Sequence, residues 1–152
     1  MVQAIPAGYA GVTPYLIVRD AARMLDFYKK GFGATEVLRL PAPGGKIGHA
    51  EIKIGEGMVM LADESPEMGH KSPQTVGGTP VSLMFYVRDV DAQFAKALAA
   101  GGTVKHAIKD QFYGDRSGTL EDPSGHIWTL ATHTEDVAPD EMDRRMKAMM
   151  AK

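Results

Sequence analysis

Thr13-Pro14-Tyr15-Leu16-Ile17-Val18-Arg19-Asp20 and Ser82-Leu83-Met84-Phe85-Tyr86-Val87-Arg88-Asp89 are two openings of one kind. Each is a short β-type run ending in Val-Arg-Asp, with the Asp placed to cap a helix. Residues 13 and 82 lie 69 apart, and the same offset carries Gly33 onto Gly102. After Asp20, Met24, Leu25, Phe27 and Tyr28 fall near one helical face, and Gly31-Phe32-Gly33 stops the run. After Asp89, Phe94, Ala97 and Leu98 recur at helical spacing, and Gly101-Gly102 stops it. Strand, cap, helix and glycine stop at a single offset predict an internal duplication.

Strand signals follow each helix. The first half predicts strands over residues 35–40, 47–54 and 58–63, with a turn at Pro41–Gly45 and a hairpin loop at Gly55-Glu56-Gly57. The second predicts strands over about 104–109, 116–121 and 126–132, with Asp122-Pro123-Ser124-Gly125 as the tight turn before the last. The order is βαβββ twice, an α+β protein of two tandem modules, 12–64 and 80–134. A Pro-, Gly-, Ser- and Thr-rich linker, 65–79, joins them. Pro139 opens a last helix to about residue 150, acidic first and basic later, as the helix dipole favours.

Composition narrows the function. The chain has 152 residues, 44% hydrophobic and 24% charged, with a formal net charge of −2. This suits one compact unit or two fused halves and gives no electrostatic reason to expect a nucleic-acid partner. Cysteine is absent, which excludes disulfides, thiolate nucleophiles and Cys-based metal sites. No apolar run reaches the roughly 20 residues of a membrane span, and the first residues lack a signal-peptide pattern, so no membrane partner and a cytoplasmic location are expected. Ten Met read as core filler and a Met-rich last helix, or as a plastic ligand pocket. No phosphate loop, nucleophile elbow or H-E-x-x-H helix is present.

The duplication, with Leu25-Asp26-Phe27-Tyr28 before Gly31-Phe32-Gly33 and Glu121-Asp122-Pro123-Ser124-Gly125-His126 before the last strand, resembles the glyoxalase/bleomycin-resistance/extradiol-dioxygenase superfamily, the vicinal oxygen chelate fold. His49-Ala50-Glu51, Phe112-Tyr113-Gly114-Asp115-Arg116 and the stretch from Trp128 to Val137 are similar to its PhnB-like, glyoxalase-like branch. The resemblance implies curved, cavity-lining mixed sheets, helices on the convex side, and a homodimer. It also implies a divalent metal held by His or Glu at the start of each module's first strand and the middle of its last. The matching positions here are Thr13, Leu61, Ser82 and Thr129. Hydroxyls and a leucine supply neither charge nor imidazole nitrogen, so no cofactor is expected at the usual place. A displaced divalent metal stays open. The metal-free antibiotic-binding members of the superfamily are then the nearer models.

Strand alternation supplies other candidates. If Ile52 and Ile54 face the helix, His49, Glu51, Lys53, Val59, Leu61 and Asp63 take the concave side. His49 and Glu51 would make an acid/base pair or displaced ligands, the alternative being a solvated strand paired with Lys53. Thr13, Tyr15 and Ile17, matched by Ser82, Met84 and Tyr86, give that side tyrosine walls with hydroxyl tips, or simply fill the core. Arg116, beside Asp115, would grip an anionic group at the cavity mouth or pair with Asp115 to fix the loop. Trp128 is expected in the core, His126 on the turn backbone, His133 at a strand end, and His70 and His106 on the surface. The function expected is small-molecule binding or a resistance-type role, with Tyr15, Leu61, Asp63, Tyr86, Asp115 and Arg116 as ligand-binding residues. The alternative is a lyase or isomerase working through His49 and Glu51.

Overall fold

The computed structural model describes all residues 1–152. In module 1, β1 (Tyr15–Val18) leads into α1 (Ala21–Phe32), β2 (Thr35–Pro41), β3 (Ile47–Ile54) and β4 (Gly57–Asp63), and the strands lie in the order β1-β4-β3-β2. The linker contains a one-turn helix, α2 (Pro73–Val76). Module 2 repeats the plan with β5 (Ser82–Tyr86), α3 (Val90–Ala99), β6 (Thr103–Asp110), β7 (Asp115–Glu121) and β8 (Ile127–His133), in the order β5-β8-β7-β6. Helix α4 (Pro139–Met150) follows. First and last strands of each module pair in parallel and the others antiparallel. The α+β, βαβββ-twice expectation holds down to the register: Leu16 opposes Leu61 and Phe85 opposes Leu130, residues 16 and 85, and 61 and 130, each 69 apart.

Both helix starts are built alike. The Asp20 carboxylate accepts from the Arg23 N–H at 3.2 Å, and that of Asp89 from the Ala92 N–H at 3.0 Å. Each takes up a backbone donor that the first turn leaves unpaired. The last strand of each module adds a second acceptor: Asp63 Oδ1 to the Ala21 N–H at 2.8 Å, and Thr132 Oγ1 to the Val90 N–H at 2.9 Å. Helix α1 ends at Gly33, whose φ of 70° suits glycine. The linker is pinned by Glu64, which accepts from the Thr75 hydroxyl (2.6 Å), the Ser72 N–H (2.9 Å) and Arg19 Nε (2.9 Å). The Thr75 hydroxyl first, and then the Ser72 N–H, hold its carboxyl down at about 2.

The two modules share one core of 21 buried residues. Helices α1 and α3 touch at Gly31, where a Cβ would meet Ala97 Cα at 3.1 Å. Trp128 is buried as expected, its ring centroid 4.8 Å from Phe32 and 5.6 Å from Tyr28. Beside it the buried Asp122 accepts four bonds: from the Tyr28 hydroxyl (2.6 Å), Trp128 Nε1 (3.0 Å) and the N–H groups of Ser124 (2.9 Å) and His126 (3.1 Å). A carboxylate can be held in an apolar interior only when its lone pairs are taken up this way. Burial first, and then Asp122, push the Tyr28 hydroxyl well above its usual range. The His126 ring bonds the Ile17 carbonyl across the module boundary at 2.9 Å, while its backbone bonds the turn, the N–H donating to the Asp122 carboxylate and the carbonyl accepting from the Asp122 N–H.

Candidate functional site

On β3 the even-numbered Ala50, Ile52 and Ile54 are buried under the helix, so His49, Glu51 and Lys53 face the other way. Tyr15 of β1 lies opposite Met60 of β4, Met60 opposite Glu51, and Glu51 opposite Leu38 of β2. These four form a row across the concave face, and Leu40 sits beside His49 in the next. The Tyr15 hydroxyl is 2.8 Å from His49 Nδ1, and His49 Nε2 is 3.5 Å from Glu51 Oε2. The Tyr9 hydroxyl donates to the other oxygen, Oε1, of Glu51. The result is a continuous chain, Tyr15–His49–Glu51–Tyr9. With Tyr15 donating to Nδ1, the imidazole proton sits on Nε2, the nitrogen nearer the carboxylate. The hydrogen bond to Glu51, then burial, push the Tyr9 hydroxyl up to about 12; burial, then the Glu51 charge, raise Tyr15 as well. Both tyrosines therefore stay protonated donors through the range where imidazole titrates.

Tyr9 escaped the sequence reading. It lies in Gly8-Tyr9-Ala10-Gly11, outside any strand or helix period. The one available signal was an aromatic isolated among small residues. The segment around it passes over the sheet, with Gly8 against Met58.

Three residues expected on the concave side, Val59, Leu61 and Asp63, fall on the other face. Leu61 is fully buried, with Val59, under the helix, and Met60 takes the concave position. Ile54 pairs with Gly57, so only Gly55 and Glu56 form the loop. Such a loop puts even numbers on β3 beside odd numbers on β4, and parity does not carry through it. Asp63 shares the face of Leu61, and its carboxylate is occupied by the N–H groups of Ala21 (2.8 Å) and Ile47 (2.7 Å). It fastens two element starts and is not free to bind a ligand.

In module 2 the concave row is Met84, Thr129 and Thr119, with Ser117 one step along β7. Tyr86 donates to Asp115 Oδ2 at 2.7 Å, and His133 Nδ1 lies 2.8 Å from Asp115 Oδ1. Asp115 is thus buried and fully engaged. His133, at the strand end, also bonds Asp136 at 2.8 Å, and these two carboxylates, Asp115 first, raise its imidazole above the usual value. Arg116 neither pairs with Asp115 nor stands free at a cavity mouth. Neighbours on a strand point to opposite faces, and its guanidinium clamps Asp91 of α3 at 2.9 Å and Asp110 at 3.2 Å. Tyr15 and Tyr86 each bond a partner in their own module, His49 and Asp115.

The side chains at the positions where the resemblance implies a metal are poor donors. Thr13 precedes β1, Ser82 begins β5, Thr129 lies in β8, and β4 offers the Met60 thioether where Leu61 was expected. Three neutral hydroxyls and a thioether do not suit a divalent ion of the zinc, nickel or iron type. Nowhere in the chain do three His, Asp or Glu side chains converge as a metal site would need.

Residues 9–130 match the sequence profile of the glyoxalase/bleomycin resistance protein/dioxygenase superfamily. Among relatives, the uncharacterized protein Mb0911c of Mycobacterium bovis is 46% identical over 140 residues, spanning 90% of this chain and 92% of its own. Rv0887c of Mycobacterium tuberculosis, also uncharacterized, is 46% identical over 140 residues, covering 90% of this chain and 82% of its own. Among solved structures, TioX from Micromonospora sp. ML1 is similar with a TM-score of 0.63 and 27% identity, over 85% of this chain and 100% of that one. The fosfomycin resistance protein FosX from Mesorhizobium loti shares the fold with a TM-score of 0.59 and 21% identity, over 82% of this chain and 93% of that one. The profile match over most of the chain, on this duplicated βαβββ frame, places the protein in the glyoxalase/bleomycin resistance protein/dioxygenase superfamily.

Proposed function

We propose that this chain is a small-molecule binding protein, of a resistance or sequestering type, whose binding face is the concave side of module 1. The observation that carries the reading is the chain Tyr15–His49–Glu51–Tyr9. It sets a half-buried carboxylate and an imidazole among two tyrosines, with Leu38, Leu40 and Met60 as apolar neighbours. Aromatic walls around one acceptor carboxylate suit a small aromatic or cationic ligand. Thr13, Ser82, Thr129 and Met60 support binding without the superfamily's usual metal.

A second reading is catalytic, a lyase or isomerase. The contact of His49 Nε2 with Glu51 Oε2 at 3.5 Å favours it, because a carboxylate beside an imidazole can orient it and stabilise its charged form during proton transfer. We further propose a cytoplasmic homodimer of the PhnB-like branch. Met146, Met149 and Met150 of α4 are exposed, and they offer apolar surface to a second copy in an interface of standard size, about 1,600 Å² in total. No helix is long and apolar enough to cross a membrane.

The test is a fluorescence and calorimetric screen of aromatic and cationic small molecules. Any ligand found should bind at least about tenfold more weakly to His49→Ala and Glu51→Gln, with melting temperatures nearly unchanged. Unchanged affinity in both variants would remove module 1 as the site. Turnover abolished by either change would select the catalytic reading.

A further inference from the structure

The concave face of module 2 carries a groove of about 600 Å³ that the site in module 1 does not use. Its floor is Ser117, Thr119 and Thr129, and its rim includes His106, Lys109 and Tyr113. The floor holds hydroxyl protons with nothing to bond. Ser117, 3% exposed, accepts from Gln111 Nε2 at 3.1 Å, and its own proton has no acceptor in the chain. Thr119 and Thr129 share one hydrogen bond at 2.7 Å, so whichever hydroxyl accepts keeps a proton to spare.

The rim is re-aimed by a bulge. In a regular strand His106 and Lys109, three residues apart, would point to opposite faces. Register shifts in β6 put His106 opposite Thr119 and Lys109 opposite Ser117, both on the groove side. Neither has a carboxylate within ion-pairing distance, and the Tyr113 hydroxyl has no partner in the chain. Nearby acids are spoken for: Glu121 pairs with Lys105 at 2.8 Å, Asp110 with Arg116 at 3.2 Å, and Asp115 with Tyr86 and His133. The groove therefore presents donors without a free anionic acceptor.

We propose that this groove binds the oxyanion group, carboxylate or phosphate in type, of a small molecule. Lys109 supplies the charge, and Ser117 with the Thr119–Thr129 pair supplies directed hydroxyl donors. Donors set in a partly buried floor under an unpaired ammonium favour a charged oxygen over a neutral one, because such hydrogen bonds are roughly twice as strong. The site is independent of the reading of His49 and Glu51.

The probes are benzoate and phenyl phosphate, with benzyl alcohol as the neutral control, titrated into the full chain by calorimetry and followed by amide shifts in NMR. We expect saturable binding of at least one anion, with shifts centred on residues 106–119 and 129. Lys109→Gln and Ser117→Ala should each weaken it about tenfold, and Glu51→Gln should leave it unchanged. Preference for benzoate or for phenyl phosphate identifies a planar or a tetrahedral oxyanion. No saturable binding up to about 10 mM, equal binding of benzyl alcohol, or affinity insensitive to both Lys109→Gln and Ser117→Ala would overturn the proposal. Loss of binding in Glu51→Gln alone would also overturn it, by moving the anion to module 1.

Discussion

Modules 1 and 2 trace the same path and present opposite chemistry. On the helix-facing side, Leu16 answers to Phe85, Ile52 to Leu120 and Leu61 to Leu130, all apolar. On the concave side, Tyr15 answers to Met84, His49 to Ser117, Glu51 to Thr119 and Met60 to Thr129. One face offers a carboxylate and an imidazole, the other spare hydroxyl protons and a lysine. The inner alternation sustains the sheet and its helix, while the outer alternation is free to change. The residues proposed to bind ligands therefore lie on the alternation that is free to change.

The comparison breaks most visibly where the modules are joined. Asp122→Ala leaves the Tyr28 hydroxyl, Trp128 Nε1 and two backbone N–H groups without their acceptor at the shared core. Chemical denaturation should show a loss of about 3–5 kcal/mol. Wild-type unfolding should be a single transition by circular dichroism and Trp128 fluorescence alike, because one core serves both halves. Separate transitions would mean that the modules are energetically independent.

The next effect separates two equivalent positions on the inner face. Module 1 has Ala50 opposite Leu61; module 2 has Gly118 opposite Leu130. A Cβ on Gly118 would come within 2.8 Å of Ile108 Cγ1 and 3.0 Å of Phe94 Cε2. Gly118→Ala should therefore cost about 1–3 kcal/mol by overpacking. Ala50→Gly, the reverse exchange in module 1, should cost about 1 kcal/mol through strand flexibility. Equal and negligible costs would mean that the inner faces are interchangeable.

The strand ends sharpen the contrast with opposite pH dependences. Glu64, just past β4, and His133, the last residue of β8, lie 69 apart at the ends of equivalent strands. Glu64 is held down at about 2, so its stabilisation is complete above its unfolded value of 4.5 and is lost as pH falls through the folded value. Glu64→Gln should cost about 1–3 kcal/mol at neutral pH, and the gap from wild type should close in acid. His133 is raised above 6.5, first by Asp115, so its contribution is complete below 6.5 and is lost as pH rises through the folded value. An NMR titration should show the elevated value, and Asp115→Asn should lower it; an unmoved midpoint would contradict the Asp115 bond.

The duplication was legible because caps, strand chemistry and glycine stops repeat at one offset, and β3 lies at residues 47–54 as read from the sequence. His49, Glu51 and Tyr15 were legible as a face because alternation within one strand follows from backbone geometry. Leu61 and Asp63 were misplaced because parity does not survive a two-residue loop of this register. Arg116 was misread because its partners, Asp91 and Asp110, come from other elements and no local pattern announces them. Tyr9 was missed because its contact with Glu51 spans 42 residues from a segment with no period.

The module 1 face built on Tyr15–His49–Glu51–Tyr9 is the proposed small-molecule site. The most direct test takes the tightest aromatic or cationic ligand from the screen and maps it by amide shifts on the wild-type chain and on Glu51→Gln. The expected shifts concentrate at Tyr9, Tyr15, Leu38–Leu40, His49–Glu51 and Met60 and are lost at the same ligand concentration in Glu51→Gln. Shifts confined to other surfaces, or the same pattern and affinity in Glu51→Gln, would contradict it.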